Sequence, residues 1–169
     1  MRAVGGPLSG RLLGGAIDWD AEAAKAAVFP LGFGNTSEFV QLDVFRQHGG
    51  KLIFYHGVSD PWFSSEDTVR YYQTLGSANG GADAVNRWSR LFLSPGVGHC
   101  AGGTQGLDQV DLLDAIVKWV EHDQAPDRLT ATGDAFPGRA RPLCAYPAYA
   151  QYQSGDTDAA ASFSCQTPD

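Results

Sequence analysis

Several features that would assign a protein to a class at once are absent from this sequence of 169 residues. No uninterrupted apolar run approaches the roughly 18 residues that a membrane-spanning helix needs, so we expect no membrane partner. Lys and Arg number only 12 against 19 Asp and Glu, which leaves a net charge of −7. Because that charge would repel a phosphate backbone, we expect no nucleic-acid partner either.

Metal-binding motifs are absent as well. Apart from the adjacent His99 and Cys100, no pair of His or Cys residues has the spacing of zinc ligands, and adjacent residues seldom bind one metal. Asp156 and Asp158 are carboxylates in a polar tail, where such pairs more often face water than calcium. We therefore expect no metal site, and the chemistry inferred below requires no cofactor.

Cysteine is scarce, with three residues, an odd number. Cys144 and Cys165 lie 21 positions apart in a tail with little apolar patterning. A bridge between them would close a loop of a size that contributes about 3 kcal/mol to stability. Cys100 would then be left over, either as a free thiol or as the partner of a cysteine outside this chain.

The residues that are present suit one folded domain. The sequence is 43% hydrophobic and 18% charged, so it can bury a core. We predict a single domain over residues 1–169. Residues 1–17 are glycine-rich, lack the continuous apolar segment of a signal peptide and are expected to form a loop or frayed terminus. Residues 141–169 are expected to form the tail that the bridge would close.

Strands and helices alternate through the middle of the chain. The apolar runs Lys51–His56 and Trp88–Leu93 predict buried strands. A helix is predicted between them, beginning after Ser64 and ending at Gly76, with its apolar side formed by Val69, Tyr72 and Leu75. This order of elements indicates a parallel sheet flanked by helices.

The clearest helix is predicted over Asp108–His122. Four apolar residues follow a helical spacing and predict its buried side: Leu113, Ile116, Val117 and Val120. Four charged residues take the other side: Asp111, Asp114, Lys118 and Glu121. Shorter helices are predicted over residues 18–28 and 39–47, and short strands over residues 128–132 and around Leu143.

Two residues that follow the predicted strands indicate catalysis. Asp60 comes after the first strand, and His99 lies on the glycine-rich loop after the second. A glycine-rich loop buries little, but it lets an imidazole approach a reacting hydroxyl. An aspartate followed by a histidine, each after a strand, is the acid–base half of a Ser…Asp…His hydrolase. Alone, either residue could be an ordinary turn or loop residue.

These segments resemble the tannase/feruloyl esterase family. The similarity lies in Gly49–Pro61, in Thr68–Tyr72, in Gly96–Cys100 and in the tail that carries Cys144 and Cys165. That family has a Cys-Ser…Asp…His-Cys pattern on an α/β-hydrolase fold, and a disulfide joins the cysteines beside its serine and histidine. The resemblance implies a serine-type carboxylic ester hydrolase of phenolic (feruloyl, galloyl) or phthalate-type esters.

Matched position by position, the resemblance assigns roles to several residues. Asp60 takes the role of the aspartate, His99 that of the general base, and Cys100 that of the cysteine beside the histidine. Cys144 and Cys165 match the two cysteines that pair at the family's end. Members of that family are secreted, and this resemblance, together with the disulfides, implies a secreted or periplasmic protein.

One part of the family pattern is missing. No Gly-x-Ser-x-Gly elbow occurs anywhere, and the lid domain that should precede Asp60 is largely absent. We therefore expect the C-terminal part of an α/β-hydrolase fold without its nucleophile-elbow strands, inactive alone and able to self-associate through exposed apolar surface. The serine would come from a missing N-terminal portion. Two alternatives stay open: a non-catalytic truncated hydrolase-fold module, and the C-terminal subunit of a two-chain esterase linked through Cys100.

Other residues near the expected site carry weaker signals. Trp62 and Phe63 follow Asp60 and could line a pocket for an aromatic acyl group, although such a pair is more often core. His56 ends the first strand, where a structural hydrogen bond is a simpler role than that of a base. Should the chain hydrolyse esters by itself, Ser59 and Ser94 are the first candidates for the nucleophile.

Overall fold

The computed structural model describes residues 18–27, 39–99, 101 and 106–168. The chain divides into two compact units, residues 1–38 and 39–169. In the first unit, helix α1 (Trp19–Ala27) begins after Asp18, whose carboxylate accepts a hydrogen bond from the backbone N–H of Ala21 at 3.0 Å. This is an N-cap arrangement, in which a side-chain oxygen satisfies a backbone donor of the first turn. The expectations for residues 1–17 lie outside the described residues.

The second unit contains four helices and seven strands among its described residues. The helices are α2 (Asp43–Gln47), α3 (Ser65–Ala78), α4 (Ala82–Val85) and α5 (Leu112–His122). The strands are β1 (Leu52–Gly57), β2 (Ser89–Ser94), β3 (Gln109–Val110), β4 (Arg128–Thr132), β5 (Arg141–Cys144), β6 (Tyr149–Tyr152) and β7 (Phe163–Gln166). A short 3₁₀ helix, Ala160–Ser162, precedes β7. The unit is therefore a mixed α/β structure, and no described helix has the length and apolar character that a membrane crossing requires.

The strands form three small sheets. β1 and β2 are parallel, with Leu52 opposite Ser89 and Gly57 opposite Ser94. β3, β4 and β5 form an antiparallel sheet in that order, and β6 pairs with β7 as an antiparallel hairpin. The sequence-based expectation of a parallel sheet thus holds for β1 and β2, while β3 to β5 run antiparallel.

Two apolar clusters cover the two faces of the β1–β2 pair. Alternate side chains of a strand point to opposite faces. On one face, Ile53 and Tyr55 pack against a cluster that includes Phe92, Ala115 and Leu129. On the other face, a second cluster is formed by Tyr72, Leu75, Val85, Trp88 and Leu91, with Leu52 and Phe54 against it. Helix α3 therefore covers one face, and α5 with the antiparallel sheet covers the other.

Helix α3 follows its predicted pattern closely. The hydroxyl oxygen of Ser64 accepts a hydrogen bond from the backbone N–H of Glu66 at 3.2 Å, which caps the first turn. Tyr72 and Leu75 are buried. The helix continues two residues beyond the predicted end at Gly76, because Asn79 caps it: its backbone N–H donates to the Gly76 carbonyl.

Helix α5 corrects the prediction made from its periodicity. The helix begins at Leu112, because Gln109 and Val110 form β3 and the Asp111 carboxylate caps the Asp114 N–H at 2.8 Å. Ala115 and Trp119 are buried, whereas the side chains of Leu113, Val117 and Val120 are 74%, 40% and 60% exposed. We call Leu113, Val117 and Val120 the outer face of α5. The predicted apolar side is thus largely exposed in this unit.

The reason for this correction lies in the residues that meet Trp119. Its ring is 1% exposed and lies between two cations: the Lys51 ammonium at 5.2 Å and the Arg90 guanidinium at 5.1 Å from the ring centroid. A large aromatic ring buries more area than a valine and gains from cations over its faces. Trp119 therefore decides which side of α5 faces the sheet.

Candidate active site

The parallel pairing of β1 and β2 brings their C-terminal ends to the same edge. Gly57 and Ser94 are the last paired residues of the two strands. The chain continues from these ends into the loop that carries Asp60 and into the loop that carries His99. Residues after neighbouring parallel strands converge at one sheet edge, which is where α/β proteins place their sites.

The two loops are joined directly by backbone hydrogen bonds. The N–H of Val58 donates to the Ser94 carbonyl, and the N–H of Ser59 donates to the Val97 carbonyl, both at 2.9 Å. Glycine is required at position 57, because a Cβ there would meet the carbonyl oxygen of Val97 at 2.5 Å. The close approach of the loops fixes the separation of the two candidate side chains.

Asp60 and His99 are hydrogen-bonded through their side chains. The His99 Nδ1 atom lies 2.8 Å from Asp60 Oδ2. Because an ionised carboxylate can only accept, Nδ1 carries the proton and donates it, which leaves the Nε2 atom of the neutral ring as the acceptor. The Asp60 side chain is 6% exposed and that of His99 is 37% exposed. The arrangement is a buried carboxylate that orients an accessible imidazole, whose Nε2 atom is able to accept a proton.

The second oxygen of Asp60 is held by the turn that follows it. Oδ1 accepts hydrogen bonds from the backbone N–H groups of Trp62 at 2.8 Å and Phe63 at 3.1 Å. Burial alone would raise the pKa of Asp60. The hydrogen bonds from His99, Trp62 and Phe63, together with the charge of His99, outweigh it and lower the pKa from 3.8 to about 2. Asp60 is therefore ionised at neutral pH.

Two aromatic side chains flank the histidine. The Trp62 ring centroid lies 4.9 Å from that of His99, and the Phe63 ring centroid lies 5.4 Å from it. Both are largely exposed, Trp62 at 73% and Phe63 at 61%. They are therefore surface residues beside His99 and not the core pair that such a dipeptide more often forms. Exposed rings here form an apolar surface against which an aromatic group could stack.

His56 has both ring nitrogens engaged. Nδ1 lies 2.7 Å from the Thr68 hydroxyl oxygen, and Nε2 lies 3.1 Å from the Phe63 carbonyl oxygen. Its side chain is 11% exposed and its Nε2 atom is 4.0 Å from Asp60 Oδ2. The sequence places Thr68 only in a segment that resembles the family and predicts no role for it in the site, because a threonine in a helix carries no signal of its own.

The two serines considered as fallback nucleophiles have different surroundings. Ser94 is 1% exposed, and its hydroxyl donates to the Leu107 carbonyl at 3.3 Å, so it is not available for attack. Ser59 is exposed. Cys100 lies outside the described residues, as do residues 102–105. Within the described part of the chain, no group of three or more His, Cys, Asp or Glu side chains could hold a metal ion.

The disulfide lies in the tail. Cys144 on β5 and Cys165 on β7 are bonded, with Cα atoms 5.6 Å apart. The bond ties the β6–β7 hairpin to the antiparallel sheet.

Curated relatives resemble this chain over most of its length. The mono(2-hydroxyethyl) terephthalate hydrolase of Piscinibacter sakaiensis is 47% identical over 134 residues, which are 75% of this chain and 21% of that protein. The feruloyl esterase B of Aspergillus niger is 34% identical over 148 residues, 76% of this chain and 28% of that protein. The chain thus spans between a fifth and a third of the length of these relatives.

Solved structures agree with these sequence matches. The feruloyl esterase B from Aspergillus oryzae superposes with a TM-score of 0.64 at 27% identity, over 75% of this chain and 29% of that one. The tannin acyl hydrolase from Aspergillus niger gives a TM-score of 0.62 at 27% identity, over 75% of this chain and 24% of that one. The family model described as Tannase and feruloyl esterase matches residues 34–166. This chain, with its paired aspartate and histidine at the sheet edge, therefore belongs to the tannase and feruloyl esterase family.

Proposed function

We propose that this chain supplies the acid–base pair of a serine-type carboxylic ester hydrolase that acts on phenolic or phthalate-type esters. The hydrogen bond between His99 Nδ1 and Asp60 Oδ2 is the observation that carries the proposal. No Gly-x-Ser-x-Gly turn occurs in this sequence. We therefore place the nucleophilic serine in a portion of the protein outside this sequence. Residues 39–168 are then the C-terminal part of an α/β-hydrolase fold.

The proposed mechanism uses the two nitrogens of His99 differently. As the serine oxygen bonds to the ester carbonyl carbon, Nε2 takes the serine proton while Nδ1–H stays bonded to Asp60. The negative charge of Asp60 stabilises the imidazolium, and its low pKa keeps it ionised throughout. Nε2 then gives the proton to the leaving alkoxide as the C–O bond breaks. Water then bonds to the acyl carbon as Nε2 takes its proton. Nε2 returns that proton to the serine oxygen as the acyl–oxygen bond breaks, which releases the acid and restores the serine.

The aromatic surface beside His99 supports the proposed substrate class. The Trp62 and Phe63 rings lie within 5.4 Å of the imidazole ring, centroid to centroid, and are largely exposed. A phenolic or phthalate acyl group bonded to a serine near Nε2 would stack against one of these rings. We propose that they form one wall of the acyl pocket, whose remaining walls come from the portion outside this sequence.

The cysteines support a proposal about the compartment and the missing portion. A structural disulfide between Cys144 and Cys165 is typical of oxidising compartments, so we place the protein in the periplasm or outside the cell. Cys100 follows the proposed base directly in sequence. We propose that it forms a disulfide with the cysteine beside the serine. Non-reducing peptide mapping of a chimera that joins this chain to the matching N-terminal portion of a relative would detect that disulfide.

The test is a chimera in which residues 34–166 replace the matching segment of the Piscinibacter sakaiensis hydrolase. We expect it to hydrolyse methyl ferulate or mono(2-hydroxyethyl) terephthalate, while the isolated chain hydrolyses neither. In the chimera, His99→Ala should lower kcat by about 10⁴-fold or more, because the base is lost while binding terms stay. His122→Ala at the exposed end of α5 is the matched control and should leave kcat unchanged.

Two outcomes would contradict the proposal. A folded chimera without esterase activity would show that this chain does not complete the site. Hydrolysis by the isolated chain that disappears in His99→Ala would mean that the nucleophile lies within this sequence, and Ser59→Ala would then be the next variant.

A further inference from the structure

The turn that carries Asp60 is hydrogen-bonded by His56, a histidine that the proposed mechanism does not use. His56 is the residue before Gly57, the last residue of β1, and its ring lies between Thr68 on α3 and Phe63. The sequence alone does not predict that the His56 ring contacts both α3 and the turn after Asp60. The structure gives each ring nitrogen a separate partner, Thr68 on one side and Phe63 on the other.

The partners of the ring determine where its proton lies. The Phe63 carbonyl oxygen can only accept a hydrogen bond, so the Nε2 atom at 3.1 Å must donate to it. In the neutral ring Nδ1 then has a lone pair, and the Thr68 hydroxyl at 2.7 Å donates to it. The other neutral tautomer would set two lone pairs against each other at Phe63. Both nitrogens are thereby occupied, so His56 is not available as a second base.

The contact with Asp60 itself is indirect. Nε2 of His56 and Oδ2 of Asp60 are 4.0 Å apart, which is too long for a hydrogen bond. The connection runs through Phe63 instead. Its carbonyl oxygen is bonded to His56, and its N–H, together with that of Trp62, donates to Asp60 Oδ1. Oδ2 is then left to accept from His99.

We propose that His56 is a positioning residue of the site: with its proton on Nε2 it ties the Phe63 carbonyl to Thr68 on helix α3, and so holds the turn that aims the Asp60 carboxylate at His99. The catalytic consequence rests on the proposed function, but the geometry is testable without it. The same turn carries Trp62 and Phe63, so His56 also sets the rings beside the base.

The first experiment locates the proton in the wild-type chain. Long-range ¹H–¹⁵N correlation of the histidine rings at pH 7.5 distinguishes a protonated from an unprotonated ring nitrogen. We expect Nε2 of His56 to be protonated and Nδ1 to be unprotonated. A proton on Nδ1 instead would overturn the proposal, because Nε2 could not then donate to Phe63.

The second experiment removes the donor while keeping the size of the side chain. In His56→Phe the Phe63 carbonyl loses its partner, so the N–H groups that bond Asp60 should exchange with solvent faster. The pKa of Asp60, followed through its carboxyl ¹³C shift, should rise from about 2 toward 3.8. His56→Gln, which restores an N–H donor at the position of Nε2, should bring the pKa back down. A folded His56→Phe variant whose Asp60 pKa stays near 2 would overturn the proposal.

Two further variants keep the question decidable if His56→Phe does not fold. Thr68→Val removes the hydroxyl that anchors Nδ1 to helix α3, so the ring should hold the turn less firmly and the pKa of Asp60 should rise, whereas Thr68→Ser should behave as wild type. The proton should stay on Nε2, because the Phe63 carbonyl can only accept. An unchanged Asp60 pKa in a folded Thr68→Val variant would count against the proposal. Tyr55→Phe is the matched control, because that buried hydroxyl has no hydrogen-bond partner in the described residues. Tyr55→Phe should change neither the tautomer of His56 nor the pKa of Asp60.

Activity of the chimera separates this inference from the proposed function. If both hold, His56→Phe lowers kcat by up to about 10²-fold, because Asp60 no longer aligns His99, and raises KM as well, because the same turn carries the Trp62 and Phe63 rings. A chimera that is inactive throughout, with the expected tautomer and Asp60 pKa changes, would refute the function and leave the positioning role standing. An active chimera in which His56→Phe keeps full kcat would refute the positioning role alone.

Discussion

The tail after residue 140 and the region around Asp60 differ in how far their side chains are covered by contacts within this chain. In the tail, β5 pairs with β4, β6 pairs with β7, and a disulfide joins the two sheets. The Arg128 guanidinium also donates to the Ala160 carbonyl at 2.6 Å, and Arg139 forms an ion pair with Asp158 at 2.6 Å. The described residues of the tail thus bond mainly to one another and to the adjacent sheet.

The region around Asp60 leaves apolar surface exposed. Trp62 and Phe63 are largely exposed beside His99. The site geometry is nevertheless well defined, because backbone hydrogen bonds join the two loops and Asp60 accepts three hydrogen bonds. The comparison teaches that the polar contacts of Asp60 and His99 are completed locally, whereas the apolar side chains beside them stay exposed.

The largest effect on stability should come from removing the disulfide of the tail. In the double variant Cys144→Ser, Cys165→Ser the unfolded chain regains the freedom of the loop that the bridge closes, which lowers the free energy of unfolding by about 3 kcal/mol. Urea unfolding followed by circular dichroism measures the change. Dithiothreitol should lower the midpoint of the wild type and leave that of the double variant in place. Equal midpoints for both proteins before reduction would show that the tail does not depend on its disulfide.

An intermediate effect is expected from the outer face of α5. We propose that the isolated chain self-associates through this surface, because three apolar side chains on adjacent turns are exposed there. Leu113→Gln together with Val117→Gln should shift the sedimentation coefficient to that of the monomer. Unfolding free energy should change by less than about 0.5 kcal/mol, since neither side chain is buried. Glu121→Gln on the same helix is the control. A wild-type chain that sediments as a monomer at high concentration would disprove the association.

An effect confined to acidic pH should come from Asp60. Its pKa is about 2 in the folded chain and 3.8 when unperturbed, so the unfolded state binds its proton first as pH falls. The stabilisation by ionised Asp60 is therefore complete above about pH 4 and is lost as pH falls through 2. The gap in urea midpoint between wild type and Asp60→Asn should be constant from pH 7 to 5 and should narrow between pH 4 and 2. A gap that stays constant down to pH 2 would contradict the lowered pKa.

Local patterns in the sequence were sufficient for several elements. The apolar runs predicted β1 and β2 within one residue, because buried parallel strands consist of continuous apolar residues. The serine cap and the spacing of Tyr72 and Leu75 predicted α3 and its buried side. The positions of Asp60 and His99 after consecutive strands predicted that the two would meet, since parallel pairing brings the ends of such strands to one edge.

Tertiary contacts decided what periodicity could not. The apolar spacing in α5 predicted the wrong side as buried, because the burial of Trp119 between Lys51 and Arg90 outweighed three smaller apolar side chains. The partners of His56 were also outside the reach of sequence reasoning. Thr68 and Phe63 are 12 and 7 residues away along the chain, and only the packing of α3 against the end of β1 brings them to the ring.

By itself, then, the sequence determined the secondary-structure periods, the chain order of aspartate and histidine, and the resemblance that the family match later confirmed. These are properties of neighbouring residues or of short motifs. Only the tertiary structure decided the 2.8 Å bond between Asp60 and His99, the two side-chain partners of His56 and the buried side of α5. Each of these depends on which distant groups compete for the same space or the same hydrogen bond, and that competition exists only once the chain has folded.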